Sequence, residues 1–458
     1  MILPLRILIF AFFGSAFLVS ADSRPNVLFI AVDDLNDWVG HLGGHPQSKT
    51  PNIDQLAKNG VSFTKAYCSA PLCNPSRVSL LTGIEPSKSG VYGNGERFRQ
   101  KMPKAVTLMQ YFRNYGYAVK GGGKIFHGAN RPGDMASWDF YFKASRTKHE
   151  YKRPANLPAS AWAPWGPIDN EDSDMFDFKV VNWAISELEK PHEKPFFLAC
   201  GFTKPHLPWH VPQKYFDLHP LDTIVLPQTL INDREDLPFF GKKLAKEVHD
   251  VSGPRNFAKH GEDHDMILKY NQWHRAVQSY LATISFVDFH LGRLLKALKN
   301  SDHADNTIIV FWGDHGWHLG EKQHWRKHAL WETTTRTTLI VSTPEHREKN
   351  QLCQSPVSLI DLYPTILELC SLPARDGLDG QSIVPLLQNP KRKWNRPVLT
   401  TFGKGNYAVR TKRWRYIRYN DGGEELYDHE TDPKEWTNLA KLPHHTMVIE
   451  RLRKSIPK

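Results

Sequence analysis

The sequence predicts an α/β fold: a large, mostly parallel sheet flanked by helices, with a small antiparallel-sheet subdomain at the C-terminus. Three observations carry this. Short apolar runs of buried-strand character alternate with amphipathic helical segments. Acidic residues directly follow two of those runs, the place where open α/β sheets build their sites. Near Asn389 the pattern changes to alternating aromatic and polar residues with glycine turns. The chain has 458 residues, 40% hydrophobic and 23% charged, an ordinary globular balance with enough length for a large core. No internal repeat or low-complexity tract interrupts it.

The elements follow in order. Arg6 and the apolar stretch Ile7 to Val19, with small-residue positions before Asp22, read as a secretory signal peptide over residues 1–21. An uncleaved anchor is the alternative, weakened by an apolar run that is short for a span. No later stretch is apolar for long enough to cross a bilayer. The expected location is therefore exported, periplasmic or extracellular. "RPNVLFIAVDDLN" supplies a fully buried strand, Val27 to Val32, with Asp33 and Asp34 at its carboxyl end. "TPNIDQLAKNG" is a helix with Thr50 as N-cap, Pro51 in the first turn and Gly60 as the stop. "VSFTKAYC" reads as one strand. A helix from about Val106 stops at Gly116, followed by a short strand and a tight glycine turn, Gly121 to Gly123, carrying Lys124 and His127. That turn lacks the spacing of a phosphate loop.

"DMFDFKVVNWAISELEK" is an amphipathic helix, "KPFFLACGF" a buried strand and "TKPHLPWH" the rigid loop at its end. A long helix spans about His274 to Leu298 and leads into the strand "NTIIVFWGDHG", again ending in an acid, Asp314. The expected division is a signal peptide at 1–21, a catalytic α/β domain at 22–389 and a C-terminal subdomain at 390–458.

The formal net charge is +11, with basic clusters at Lys391–Arg396 and Lys412–Arg418. An exported basic protein attracts polyanions such as sulfated glycans; a merely solvated surface is the alternative. No nucleic-acid-binding motif is present, so nucleic acid is not an expected partner. Five cysteines (68, 73, 200, 353 and 370) leave at least one unpaired within a monomer. A pair between Cys353 and Cys370 stays open.

Two features carry chemistry. Asp33, Asp34 and Asp314 at strand ends, with His315 beside them, would repel one another unless a cation held them. Oxygen ligands suit a hard ion such as Ca²⁺; capping of helices or loops is the alternative. Cys73, in "APLCNPSRVSLLTG", lies just before a helix whose first turn contains Pro75, where free N–H groups favour an anion. Arg77 adds a guanidinium one turn in. The local physics gives a reactive cysteine near a bound oxyanion.

"CNPSRVSLLTG" resembles the sulfatase signature C-x-P-S-R-x-x-x-L-T-G at every defined position. The resemblance continues through "PNVLFIAVDDLN", "TPNIDQLAKNGVSF", "GYAVKGGGKIFH", "KPFFLACGFTKPHLPW", "GDHGWHLGE" and "SLIDLYPTILEL". Within that family it is most similar to iduronate-2-sulfatases and related bacterial glycan sulfatases. The resemblance implies an alkaline-phosphatase-like fold and conversion of Cys73 to Cα-formylglycine by a formylglycine-generating or sulfatase-maturating enzyme. It implies one Ca²⁺ held by Asp33, Asp34, Asp314, His315 and the modified residue 73. Many sulfatases have Asn where this chain has His315; iduronate-2-sulfatases have His.

By the same resemblance, Arg77 and Lys124 hold the formylglycine hydrate, His127 takes a proton from it, His206 protonates the leaving oxygen and Lys327 binds the sulfate. Lys204 and His324 are weaker candidates. His318 and His328 read as packing. The implied activity is hydrolysis of sulfate esters on a sulfated glycan, first a 2-O-sulfated uronate. Sulfated fucan, carrageenan, ulvan and choline sulfate are the alternatives. A phosphatase or phosphodiesterase of the same fold and an inactive glycan-binding homologue are the rivals. Specificity is expected from loops such as Asn130–Pro167 and Asp233–Asp265 and from the C-terminal subdomain.

Overall fold

The computed structural model describes residues 24–128, 131–147, 165–246, 263–346 and 350–457. The expected signal peptide lies outside the described residues, as do parts of both expected specificity loops. Among the described residues no helix is long and apolar enough to cross a membrane.

Asn26–Asp33 (β1) lies inside an eight-stranded sheet, and all eight of its residues are buried. The other strands are Val61–Phe63 (β2), Ala118–Gly123 (β3), Phe140–Phe142 (β4), Phe196–Pro205 (β5), Thr307–Gly313 (β6), Leu339–Ser342 (β7) and Gln351–Cys353 (β8). Their order is β8-β2-β7-β6-β1-β5-β3-β4. Strands β6, β1, β5, β3 and β4 run parallel, so their carboxyl ends share one edge. Strand β7 runs antiparallel to both of its neighbours, which makes the sheet mixed.

The helices that cover the sheet are Pro51–Lys58 (α1), Cys73–Thr82 (α2), Leu108–Asn114 (α3), Phe176–Leu188 (α4) and Trp273–Lys299 (α5). Along β1, Leu28, Ile30 and Val32 enter the core shared with α1, α4 and α5. Val27, Phe29 and Ala31 enter the core shared with α2 and α3. A strand covered on both faces has no polar side, which is why β1 reads as an unbroken apolar run.

Some expectations shift. "VSFTKAYC" forms two strands in different sheets, because the chain turns at Thr64–Lys65; Ala66–Tyr67 pairs instead with Arg336–Thr337 and Val357–Ser358. Gly121–Gly123 is the end of β3 and not a turn. The glycines are required by close approach: a Cβ would meet the Trp138 ring at 2.5 Å from Gly121, the Trp183 ring at 2.8 Å from Gly122 and the Gly201 carbonyl at 1.9 Å from Gly123. The helix expected from Val106 starts at Leu108, because Thr107 caps it in a capping box with Gln110. Thr50 makes no capping bond to α1; the Asp288 carboxylate on α5 accepts the Asn52 and Ile53 N–H groups instead. All five cysteines are free and buried, so Cys353 and Cys370 are not bridged.

Val398–Thr401 (β9), Tyr407–Arg410 (β10), Trp414–Arg418 (β11) and Glu424–Asp428 (β12) form the expected antiparallel sheet near the C-terminus. It docks on the main body through β9: the Thr401 N–H donates to the Ser69 carbonyl at 2.8 Å and the Thr400 hydroxyl to that of Cys68 at 2.7 Å.

Candidate active site

The shared carboxyl edge brings the expected residues together. Strand β1 delivers Asp33 and Asp34, β3 delivers Lys124, β5 delivers His206, and β6 delivers Asp314 and His315. Helix α2 starts at Cys73 itself, with Leu72 extended before it. Pro75 therefore sits in the first turn, where its missing N–H costs nothing. Asp34 adopts a left-handed backbone, φ 59°, tolerated by Asp more than by most residues. The Tyr280 hydroxyl donates to its carbonyl at 2.7 Å, and its own N–H donates to Asp314 Oδ1 at 2.9 Å.

Three carboxylates face three fixed cations. Arg77, fully buried, donates from Nε to Asp314 Oδ2 at 2.8 Å and from a terminal nitrogen to Asp33 Oδ1 at 3.1 Å. Its other terminal nitrogen donates to the carbonyls of Lys124 and Ile125. It thus braces two acids and the start of the loop after β3. The Lys124 ammonium pairs with Asp33 Oδ2 and lies 3.7 Å from the Cys73 sulfur. The Lys327 ammonium donates to Asp34 Oδ1 at 2.8 Å and to Cys73 Sγ at 3.0 Å. Its segment is conformationally unusual: Lys322, Gln323, Arg326 and His328 all have positive φ. Left-handed backbone at four non-glycine positions is held only where the surroundings over-determine it, a common mark of a functional loop.

The electrostatics are split. Burial acts to raise the Asp33 carboxyl, but Lys124, then His206, Arg77 and Lys327, outweigh it and hold it well below the ordinary carboxylate range. Burial raises Asp34 despite Lys327, and the neighbouring Asp33 adds to the rise. Burial pushes the Cys73 thiol up, with Asp33 adding and Lys124 and Lys327 opposing. Burial thus disfavours the thiolate form of residue 73.

His315 Nδ1 lies 3.0 Å from the Gly316 carbonyl, which can only accept, so Nδ1 carries the proton. Its Nε2 lone pair then faces Cys73 Sγ at 3.3 Å and Asp34 Oδ1 at 3.3 Å. Asp34 Oδ2 is buried with no hydrogen-bond partner. Ligand atoms of Asp34, Cys73, Asp314 and His315 lie within 4.8 Å of one another. An orphaned carboxylate oxygen, two more acids and an oriented imidazole lone pair fit a divalent cation.

His206 stands at the rim, 35% exposed, with Nε2 3.8 Å from Asp34 Oδ2. Its Nδ1 donates to the Leu207 carbonyl at 2.6 Å, leaving Nε2 toward the site. Burial, then Lys327 and Lys124, hold its pKa low. A local irregularity puts it there: the partner of β1 jumps from Phe202, opposite Val32, to Pro205, opposite Asp33. The buried Asp177 carboxylate ties the looped-out residues by accepting from Thr203 N at 2.8 Å and Lys204 N at 2.9 Å. His127 joins the same charged group; burial, then Lys124, lower its pKa to about 3, and its buried Nδ1 has no partner.

The weaker candidates do not join. The Lys204 ammonium donates to the Pro208 carbonyl, bracing the loop around His206. His324 contacts the Ala245 and Lys327 carbonyls at 3.3 and 3.0 Å, beneath Lys327. His318 packs on His324 and Trp331. Ser76 of the signature donates its hydroxyl to the Asp314 carbonyl at 2.6 Å. Sequence reasoning missed Tyr280 and the role of Trp317, whose ring lies 5.4 Å from the Lys327 ammonium. Tyr280 sits on a helix with no local signal.

Comparison with known proteins agrees with this geometry. The Sulfatase family model matches residues 25–372, and that of N-sulphoglucosamine sulphohydrolase, C-terminal, matches residues 320–458. A sulfatase of Formosa agariphila is 39% identical over 95% of this chain and 87% of its own. The iduronate 2-sulfatase of Mus musculus is 28% identical over 95% of this chain and 94% of its own. The solved structure of a 2-O GAG sulfatase superposes with a TM-score of 0.73 at 22% identity, over 94% of this chain and 91% of that one, a likeness of fold. A family model spanning most of the chain and a relative matching nearly all of it, over an edge where the signature cysteine meets acids and lysines, establish that this protein belongs to the sulfatase family, enzymes that hydrolyse sulfate esters.

Proposed function

We propose that this protein is an exported Ca²⁺-dependent glycan sulfatase, with residue 73 acting as formylglycine and a 2-O-sulfated uronate such as iduronate 2-sulfate as first-choice substrate. The observation that carries this is the convergence of Asp33, Asp34, Asp314 and His315 with Lys124 and Lys327 around residue 73 at the start of α2. The uronate draws on the iduronate 2-sulfatase relative and on His315. A domain division at Asn389 and a secretory signal peptide at 1–21 complete the reading, with a maturating enzyme as the transient partner.

Asp33, Asp34, Asp314 and His315 would hold the ion, which when bound polarises a sulfate oxygen and acidifies a hydroxyl at residue 73. Formylglycine at residue 73 would supply a hydrated aldehyde, one hydroxyl of which could accept the sulfuryl group as the alcohol leaves, while loss of the other's proton would expel sulfate and restore the aldehyde. The chain's own residues do the rest. Without an ion, three carboxylates and three cations balance near neutrality. A divalent ion tips that balance positive, complementary to a sulfate ester. Lys327 and Lys124 flank the reacting atoms and neutralise charge. Arg77 acts through Asp33 and Asp314, fixing their carboxylates. His206, with Nε2 toward the site and a bound anion to favour its protonated form, donates to the leaving oxygen. His127, kept neutral, accepts the proton from the second hydroxyl.

The test has two parts. The peptide spanning Ala66–Arg77, from protein made in its native host, should be about 18 Da lighter than the thiol form. That protein, loaded with Ca²⁺, should release sulfate from a 2-O-sulfated uronate disaccharide ahead of hexosamine, fucose and galactose sulfates. An unmodified thiol overturns the nucleophile; release from another sugar overturns the uronate and keeps the sulfatase.

A further inference from the structure

We infer that the turn joining β9 to β10, Gly403–Lys404–Gly405, is a second anion subsite that binds the ring carboxylate of the substrate. This deepens the function proposed above and rests on that reading of a uronate sulfate.

The placement comes from two sides. Strand β9 runs beside the segment that leads into Cys73: Thr400 bonds to the Cys68 carbonyl and Thr401 to the Ser69 carbonyl. One residue further, the Phe402 ring lies 6.0 Å from the His328 ring, and the His328 N–H donates to the Pro71 carbonyl at 3.3 Å. The two segments advance together, so the turn after Phe402 projects toward Cys73 and Lys327. From the other side, the loop Tyr92–Glu96 is fastened to the residue after Cys73. Asn74 donates from its N–H to Asn94 Oδ1 at 3.0 Å and from Nδ2 to the Gly93 and Glu96 carbonyls at 2.8 and 2.9 Å. Tyr407, just past the turn, neighbours Tyr92 on that loop closely enough to add to the effect of burial on its hydroxyl. The turn and the loop therefore border the mouth of the same site.

The turn is built to present its tip. Gly403 and Gly405 have φ 60° and 87°, conformations that suit glycine. The buried Asn406 closes it: the Phe402 N–H donates to the Asn406 carbonyl at 2.9 Å, and Asn406 Nδ2 donates to the Phe402 carbonyl at 2.9 Å. The Asn420 N–H donates to Asn406 Oδ1 at 3.0 Å, pinning the turn to the β11–β12 connection. Lys404, between the two glycines, is exposed, and among the described residues no carboxylate forms an ion pair with it. A rigid turn that displays one unpaired ammonium beside a site already equipped for sulfate fits a substrate with a second negative group. Lys124 and Lys327 are engaged deep in the site, which leaves the rim cation for the part of the sugar that does not react.

The test compares wild-type enzyme with Lys404→Ala and Lys404→Arg on 4-nitrophenyl sulfate, on a 2-O-sulfated uronate disaccharide, and on that disaccharide with its carboxyl reduced to the alcohol. For the uronate, KM should rise about tenfold in Lys404→Ala, about 1.4 kcal/mol of binding, and largely recover in Lys404→Arg, with kcat unchanged. KM for the other two esters should stay level. An alanine variant that shifts KM equally on all three, or on none, overturns the subsite. So does a wild-type enzyme that takes the reduced sugar as well as the acid. A wild type active on 4-nitrophenyl sulfate alone removes the uronate and the subsite together but leaves a sulfatase. One active on none of the three overturns the function itself.

Discussion

Two buried charge clusters in this molecule have similar composition and opposite character. Around Cys73, Asp33, Asp34 and Asp314 meet Arg77, Lys124 and Lys327. Beneath the C-terminal sheet, Glu332 and Glu435 meet Arg410, Arg415 and His429. Arg410 Nε lies 3.0 Å from Glu332 Oε2, Arg415 also pairs with Glu332, and Arg415 Nε lies 2.5 Å from Glu435 Oε1. The Tyr67 hydroxyl donates to Glu332 Oε1 at 2.9 Å, and Glu435 Oε2 accepts the Glu332 N–H at 2.8 Å. Every carboxylate oxygen there has a partner. Both clusters bring potential metal ligands together, four in each grouping around Cys73 and three around Glu332. Only the first leaves a carboxylate oxygen orphaned and an imidazole lone pair pointed inward. Residual unmet bonding, more than charge density, separates a site from a rivet.

The contrast can be broken or sharpened by experiment. Cys73→Ala should lower sulfate release about 10⁴-fold or more with an unchanged thermal unfolding curve; residual turnover near wild type would move the nucleophile elsewhere. Asp314→Ala should abolish Ca²⁺ binding in calorimetric titration and cost about 3 kcal/mol of stability, because Arg77 loses a buried partner. His206→Ala should cost about 10³-fold on sugar sulfates and far less on an activated aryl sulfate; equal losses would take His206 out of the acid role. Glu332→Ala should also cost about 3 kcal/mol in urea unfolding yet leave Ca²⁺ affinity unchanged. A lost Ca²⁺ isotherm in that variant would end the distinction drawn between the clusters.

The smallest effect concerns pH. Burial acts to raise Glu332, but Arg410, then His429 and Arg415, hold it well below the ordinary carboxylate range. A depressed folded pKa gives stability that is full above the unfolded value, about 4.3, and is lost as pH falls through the folded value. Between pH 5 and 3, wild-type stability should therefore fall more steeply than that of Glu332→Gln. Parallel slopes would show that the pair contributes no linkage.

Much of the active edge was legible because parallel strands buried on both faces have a loud sequence signature. An apolar run ending in acid located Asp33, Asp34 and Asp314, and the signature motif located Cys73, Arg77 and Ser76. Gly121–Gly123 was misread because close packing on Trp138, Trp183 and Gly201 and a turn both call for glycine. The Glu332 cluster had no signature, since its members come from residues 332, 410, 415, 429 and 435, joined only by the docking of one sheet on another. The cap on α1 was missed for the same reason: Asp288 arrives from a distant helix.

The irregularity between Val32 and Asp33 has a consequence for how this edge can vary. Because β5 loops out between Phe202 and Pro205, the reach of His206 is set by a count of residues. Replacing Thr203 or Lys204 alters what the loop touches, while Asp177 still gathers its backbone. Removing one of them alters where His206 arrives, because a strand's successive side chains point to opposite faces. At this position an indel is a change of address and a substitution only a change of furniture, so length variation here deserves more weight than residue identity when proteins of this kind are compared or redesigned.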